Sequence, residues 1–473
     1  MNKSYKTFSS LSALAAALLL AGCANLAPEY QRPAAPVAGD WPSAAKPAEA
    51  AQAPKVAELP WQQFYAGDAR VRALIELALQ NNRDLRVALL NVDKARAQYR
   101  ISDAARWPTV SAGLSGQRSP ASNGSGTING VYQAGLQVTA YELDLFGKLK
   151  SNSESALASY LATAEGQRAA RLSLVAGVAA AQLNLQAAEE LLTLSRQTLA
   201  TREDSLKLSR TKFDVGAASQ LDLSSAESAA GAARASLAAA QRARDEAENA
   251  LVLLVGQPLP ASLPAAQPLQ ALQLPRVPAG LPSEVLVGRP DVLQAEQQLR
   301  AANANIGAAR AAVFPSITLT ASAGTASTQL SDLFRNSAWS FASQILMPIF
   351  DAGRNQANIE VAKANQGIAL AQYEKTVQTA FREVADALAG LATLDEQLGG
   401  QELQARAEAQ RLALVELRFG NGVSNSLELL DAQRASYAAQ QALLQVRLAK
   451  ALNRVQLYKV LGGGAADEAK PAS

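Results

Sequence analysis

From Leu185 onward apolar residues recur every seven positions, at Leu185, Leu192, Leu199, Leu206 and Phe213. That interval keeps one stripe of side chains on one side of an α-helix, the pattern of a coiled-coil-like seam. The stripe lies inside a proline-free stretch from 121 to 257, and a second such stretch runs from 349 to 470. Proline lacks an N–H and clashes with the preceding helical turn, so both stretches predict long helices. A different period appears at 131–145. There Tyr132, Ala134, Leu136, Val138 and Ala140 alternate with Gln133, Gly135, Gln137, Thr139 and Tyr141, which predicts a strand with one apolar and one polar face.

These patterns occur twice. Leu185, Leu192, Leu206 and Phe213 map onto Leu391, Leu398, Leu412 and Phe419 with a shift of 206 residues, and Gly147 and Gly216 map onto Gly353 and Gly422. Earlier in the chain the shift is 207, which aligns Asp84 with Asp291 and "ARWPTVS" (105–111) with "AVFPSIT" (312–318). The chain is a tandem repeat, with repeat 1 at 67–260 and repeat 2 at 284–461. Each repeat predicts a helix (67–105, 284–313) and a β-hairpin (107–146, 314–351) that opens on aromatic-Pro. A long helix (149–213, 354–418), a turn (214–219, 420–425) and a last helix (220–256, 426–460) follow. Around the repeats lie an extended Pro/Ala-rich segment (23–66), a Pro-rich linker (261–283) and a flexible tail (462–473).

The expected fold is mainly α with a small β part. Only four strands are found per chain, too few to close a barrel. Open edges cannot face lipid, so strands that cross a membrane would need several chains. Two chains give eight strands and three give twelve, and both counts are even.

Composition narrows the chemistry. The 473 residues include no His, two Met and one Cys, which removes the commonest general base and most protein-made metal sites. No metal or cofactor is expected. The net charge of +3 is interspersed, without a basic stripe, so nucleic acid is not an expected partner. The glycine-rich "GSGTING" (124–130) has the wrong spacing for a nucleotide loop and sits at a hairpin tip, so an enzyme is not expected.

The N-terminus has Lys3 and Lys6 before the apolar run "LSALAAALLLAG" (11–22) and ends in "LAGC" at Cys23, the sole cysteine. The run is short for a transmembrane helix and reads as a signal peptide over 1–22. "LAGC" matches the bacterial lipobox. Cys23 would carry a covalent lipid, an S-diacylglycerol and an N-acyl chain such as palmitate. Ala24 in place of an aspartate favours the outer membrane by analogy with lipoprotein sorting.

The turns carry their own signals. Gly216 and Gly422 can adopt the left-handed conformation that ends a helix, and Ser219 with Asp222, like Asn425 with Glu428, resembles a capping box. Just past the second turn stands "LELLDAQR" (427–434). Leu427 and Asp431 share a helix face there and Asp431 can pair with Arg434. The first repeat has Ser225 in the place of Asp431. In a symmetric tube one aspartate per chain would form a ring of like charge, as in ion-selective pores.

Several segments together, "CANLAPEYQRPAAPV", "LFGKLKSNSESALASYLAT", "GRPDVLQAEQQLRAANANIGAARAAVFPSITLTAS" and "LLDAQRASYAAQQ", resemble outer-membrane efflux channels of the TolC/OprM type, in their lipoprotein branch. The resemblance implies a homotrimer whose twelve-stranded membrane barrel continues into a long helical barrel in the periplasm. It implies a periplasmic adaptor and an inner-membrane pump, of the resistance–nodulation–division class, as partners, alongside outer-membrane lipid. By similarity Val215, Gly216, Ser219, Gly422, Val423 and Asn425 would be adaptor-contact tips, and Leu427, Asp431, Arg434 and Phe419 would form the periplasmic gate. Family members often carry Tyr where Phe419 stands, so no hydrogen bond through that hydroxyl is expected here. The expected function is passive export of drugs, solvents or other small toxic molecules. The alternative is a lipid-anchored coiled-coil protein of the envelope without channel activity, but a stalk has no use for amphipathic hairpins.

Overall fold

The computed structural model describes residues 26–39, 41, 59–120, 128–275 and 283–464. The expected signal peptide, Cys23, the first hairpin tip (121–127) and the tail beyond 464 lie outside the described residues. In chain order the elements are α1 (Trp61–Phe64), α2 (Ala69–Asn81), α3 (Arg83–Ala104), β1 (Val110–Pro120) and β2 (Ile128–Leu143), then α4 (Lys148–Asp214) and α5 (Gln220–Val255). The second half has α6 (Pro290–Ala311), β3 (Ser316–Ser327), β4 (Ser337–Leu346), α7 (Arg354–Gly420) and α8 (Ser426–Val460). The helices α4 and α7 have 67 residues each, about 100 Å at the α-helical rise. Among the described residues no helix is long and apolar enough to cross a membrane.

The helix expected over 67–105 is interrupted at Asn82, whose backbone is extended. Its side chain explains the break. The Asn82 carboxamide accepts from the Leu85 N–H at 2.8 Å, starting α3, and donates to Leu254 O at 2.9 Å, closing a carbonyl at the end of α5. The helix expected from 284 begins instead as a 3-10 turn, Ser283–Gly288, and becomes α-helical at Pro290, where a missing N–H costs nothing.

The described residues divide into two compact units. The first comprises the residues up to Ala35, Leu90–Glu165 and Leu293–Lys375. It holds one antiparallel sheet in the order β1-β2-β3-β4. The register puts Val110, Ala112 and Leu114 opposite Val138, Leu136 and Ala134. Those lie beside Ala321, Ala323 and Thr325, and the first two of these beside Phe341 and Trp339. This face is largely apolar and open, with Leu114, Leu136, Trp339 and Phe341 all exposed. The opposite face carries Ser111, Gln137, Ser322 and Ser340 in register, and the last two hydroxyls lie 2.7 Å apart.

The strict alternation expected in β2 fails at one point. A bulge between Val138 and Tyr141 places Ala140 at φ 54°, and its N–H is taken by Thr320 Oγ1 at 3.2 Å. An inserted residue reverses the parity beyond it. Tyr141, expected on the polar face, therefore pairs with Leu319 and joins the apolar one.

In the same unit, residues 26–32 run along α6. Arg310 donates to Leu26 O at 3.0 Å and Asn303 to Pro28 O at 2.7 Å. Arg32 and Arg300 both hold Glu296, whose residue exposure is only 1%. Burial pushes the Glu296 carboxyl up, but hydrogen bonds from the two guanidiniums outweigh it and hold it below the ordinary carboxylate range.

The second unit comprises Pro36–Leu89, Gly166–Val292 and the residues from Thr376. Its core includes Phe64 stacked on Tyr458 at 4.1 Å, with Tyr65 edge-on to Phe64. Buried Arg289 ties Asp291 and Glu383 and donates to Val460 O at 2.9 Å. Gly256 ends α5 at φ 80°, and a Cβ there would lie 2.4 Å from Asn81 O. Gly256→Ala should combine left-handed strain with a backbone clash and destabilise the unit by about 2 kcal/mol. Thermal melts followed by helical circular dichroism measure this; an unchanged midpoint would show that the Asn81 turn can move away freely.

Candidate channel face and helical tips

Each long helix ends in the same turn. Gly216 and Gly422 have φ 74° and 75°. In the first turn Ala217 N donates to Lys212 O at 2.7 Å and Gly216 N to Phe213 O at 2.9 Å. In the second, Val423 N donates to Arg418 O at 2.9 Å and Gly422 N to Phe419 O at 3.1 Å. This pair of bonds is the Schellman motif, closed twice by the one residue type that takes positive φ freely.

The restart differs between the copies. Ser219 and Asp222 form a complete capping box, with Asp222 N on Ser219 Oγ at 3.2 Å and Ser219 N on Asp222 Oδ2 at 3.1 Å. Asn425 caps α8 by accepting from Glu428 N at 2.8 Å. The reciprocal half expected there is absent, because the Glu428 carboxylate accepts from Arg418 at 3.0 Å and from the Ser424 hydroxyl instead. At the apex Val215 and Val423 are exposed. Leu221 and Leu427 are also exposed, in the first turn of each following helix.

Asp431 and Arg434 pair as their spacing suggests, at 2.8 Å. A second partner was not foreseen. Arg411 on α7 reaches Asp431 Oδ2 at 2.6 Å and also holds Glu408 at 3.2 Å. Hydrogen bonds from Arg411 and then Arg434 hold the Asp431 carboxyl below the ordinary range. Phe419 packs on a small core of Val415, Leu429 and Ala432 with Leu412. Its missing hydroxyl is replaced by another contact, the Lys212 ammonium 4.2 Å from the ring centroid. A cation over an aromatic face at an exposed site contributes about 0.5–1 kcal/mol.

The α4 seam is buried at Leu185 and Leu192 and half-buried at Leu199, Leu206 and Phe213. Three residues further along each of the middle heptads stand Ser195, Arg202 and Ser209, all buried. Ser195 and Arg202 face α8 through polar contacts. Ser195 Oγ lies 3.1 Å from the Tyr437 hydroxyl, Arg202 donates to Gln433, and Gln433 donates to Ser205 at 3.2 Å. Nearer the tip, the Ser426 hydroxyl donates to Asp222. The two helical hairpins of one chain are thus tied by polar rungs. Sequence reasoning missed them because it followed the apolar stripe; the signal was the run of polar residues at the companion heptad position.

Among the described residues no cluster of acidic residues could hold a metal ion. A two-faced, four-stranded sheet, with both edges open among the described residues, and two 67-residue helices are the elements expected of a membrane duct with a helical extension. The chain belongs to the outer membrane efflux protein family, whose model matches residues 74–257 and 281–463, one stretch per repeat. It is 46% identical over 467 residues to the toluene efflux pump outer membrane protein TtgC of Pseudomonas putida, covering 97% of this chain and 96% of the relative. It is 44% identical to outer membrane protein OprJ of Pseudomonas aeruginosa, over 96% and 95% of the two chains. The open-state crystal structure of the Neisseria gonorrhoeae MtrE outer membrane channel superposes with a TM-score of 0.83 at 40% identity, over 93% of this chain and 99% of that one. The protein is an outer-membrane efflux channel.

Proposed function

We propose that three copies assemble into a passive exit duct that receives lipophilic drugs and solvents from an inner-membrane pump, of the resistance–nodulation–division class, through a periplasmic adaptor. The observation that carries this reading is the sheet, apolar on one face, polar on the other and, among the described residues, unpaired at both edges. An eight-stranded barrel is filled by its own side chains or holds one small ligand, whereas a duct needs a wider lumen; twelve strands from three chains supply it. The solvent and antibiotic efflux named for relatives supports the cargo class. Deleting the gene should raise sensitivity to toluene and lipophilic antibiotics in killing and growth assays. Unchanged susceptibility with an intact pump would reject this cargo.

In this reading Val215, Gly216, Ser219, Gly422, Val423 and Asn425 form the adaptor-contact tips. Leu427, Asp431, Arg434 and Phe419 line the periplasmic aperture, and Arg411 joins them as the second clamp on Asp431. A carboxyl with a depressed pKa keeps its ion pairs above the ordinary value, about 3.9, and loses them only as pH falls through its own lower value. Conductance of the reconstituted channel should therefore stay flat between about pH 8 and 5. Asp431→Ala should raise it several-fold at neutral pH. Equal conductance of variant and parent would reduce Asp431 to a surface ion pair.

Cys23 is the acylation site in the same proposal, anchoring the chain to outer-membrane lipid just before the stretch at Leu26–Arg32 that is fixed to α6. Cys23→Ala should lose all label from radioactive palmitate; label retained in that variant would refute the anchor.

A further inference from the structure

Arg202 is a buried cation without a carboxylate. The residue is 8% exposed, yet among the described residues its guanidinium has a single hydrogen bond, from Nη1 to the neutral Gln433 carboxamide. A guanidinium carries five N–H donors and keeps its charge at any physiological pH. Buried arginines are ordinarily paired with an acid, because an uncompensated charge out of water is costly. Here the charge that bears on it is that of another cation. Burial first, and the Arg434 guanidinium second, push the Arg202 pKa down.

The two arginines line one groove of about 450 Å³ between α4, α5 and α8. That volume lies in the range of small-molecule sites. Its wall on α5 is built of small residues, among them Ser228, Ala229 and Ala232, with the apolar side chains of Leu427 and Leu430 across from them. The one carboxylate in the lining is Asp431, already bound by Arg411 at 2.6 Å and Arg434 at 2.8 Å. Arg434 gives it only Nη2. The groove thus combines two guanidiniums, an excess of positive charge and an apolar flank.

We propose that this groove binds an organic carboxylate, its charged end between Arg202 and Arg434 and its apolar body along Leu427, Leu430 and the alanines of α5. A planar carboxylate matches the guanidinium fork, and among the described residues no group fills that role for Arg202. The carboxylate can come from a free molecule or from an Asp or Glu side chain of a second copy. The groove shares Leu427, Asp431 and Arg434 with the aperture proposed above, but carboxylate binding is read by calorimetry and the aperture by conductance, so the two readings fail separately.

The test is a crystal of the full-length channel soaked in 4-bromobenzoate, with bromine located by anomalous scattering, and titration of benzoate against neutral benzamide by calorimetry. A bromine peak in the groove, with benzoate binding and benzamide not, is the expected result. Arg202→Gln should weaken benzoate at least tenfold, the loss expected for a charged hydrogen bond. Arg202→Lys, which keeps the charge and so guards against a variant that fails to fold, should give an intermediate affinity. A carboxylate side chain of a neighbouring copy seated between the two arginines would support the site and assign it the second source. An empty groove with no benzoate binding, or a peak undiminished in Arg202→Gln, would overturn the proposal.

Discussion

In hydrocarbon, every backbone N–H and C=O must find a partner within the protein, and this constraint governs the molecule. The sheet satisfies it only internally. β2 and β3 are paired on both sides, while β1 and β4 each present one unpaired edge among the described residues. A strand edge facing lipid costs several kcal/mol per unsatisfied group, so a single copy has no stable place in a bilayer. The register makes the other half of the same requirement. It sorts Leu114, Leu136, Phe341 and Trp339 to one face and Ser111, Gln137, Ser322 and Ser340 to the other, as a wall between lipid and water demands. Where the pleat would put Tyr141 on the wet face, the bulge at Ala140 turns it over.

The helical part answers to different rules, because its surroundings are aqueous. Its seam is apolar at Leu185 and Leu192, then acquires Ser195, Arg202 and Ser209 in the turns toward the tip. An apolar seam gains energy from area and is indifferent to small slips. A polar one is specific about geometry, since each rung lost leaves a buried group unsatisfied at about 1–3 kcal/mol. Polar rungs therefore fix how the two hairpins of a chain lie against each other near the tip, where the packing of small residues such as Ala226 and Ala230 supplies little area.

Much of this was legible in the residues. The seven-residue recurrence located α4, proline spacing bounded the long helices, and the alternation in 132–138 located β2 with its faces assigned correctly. Asp431 with Arg434 was readable because three residues along a helix are neighbours. Arg411 was not, since it comes from a different helix. The clasp of residues 26–32 on α6 joins Arg32 to Glu296, separated by 264 positions, and no local pattern reports such a contact. Asn82 looked like one more helical residue. It breaks the helix because its carboxamide finds a donor at Leu85 and an acceptor at Leu254 together, and only the second is invisible to sequence. The second capping box failed for a related reason: Arg418 competes for Glu428.

Duplication explains why the groove exists at all. The positions in repeat 1 that correspond to Asp431 and Arg434 are Ser225 and Ser228, and these serines line the same groove as the charged pair. Equivalent faces of the two copies have thus come to lie opposite each other, one carrying charge and the other small hydroxyls. Two charged faces there would clash, and two small ones would leave nothing to hold the groove's geometry. Arg202 continues the asymmetry. Its counterpart in repeat 2 is Glu408, which pairs with Arg411, so the acid that would neutralise a guanidinium at this level was placed on α7 rather than beside Arg202. The same Schellman turn and N-cap close both hairpins because any helical hairpin needs them. The chemistry one turn beyond is free to diverge, and it has done so in a way that leaves one buried cation facing an open space.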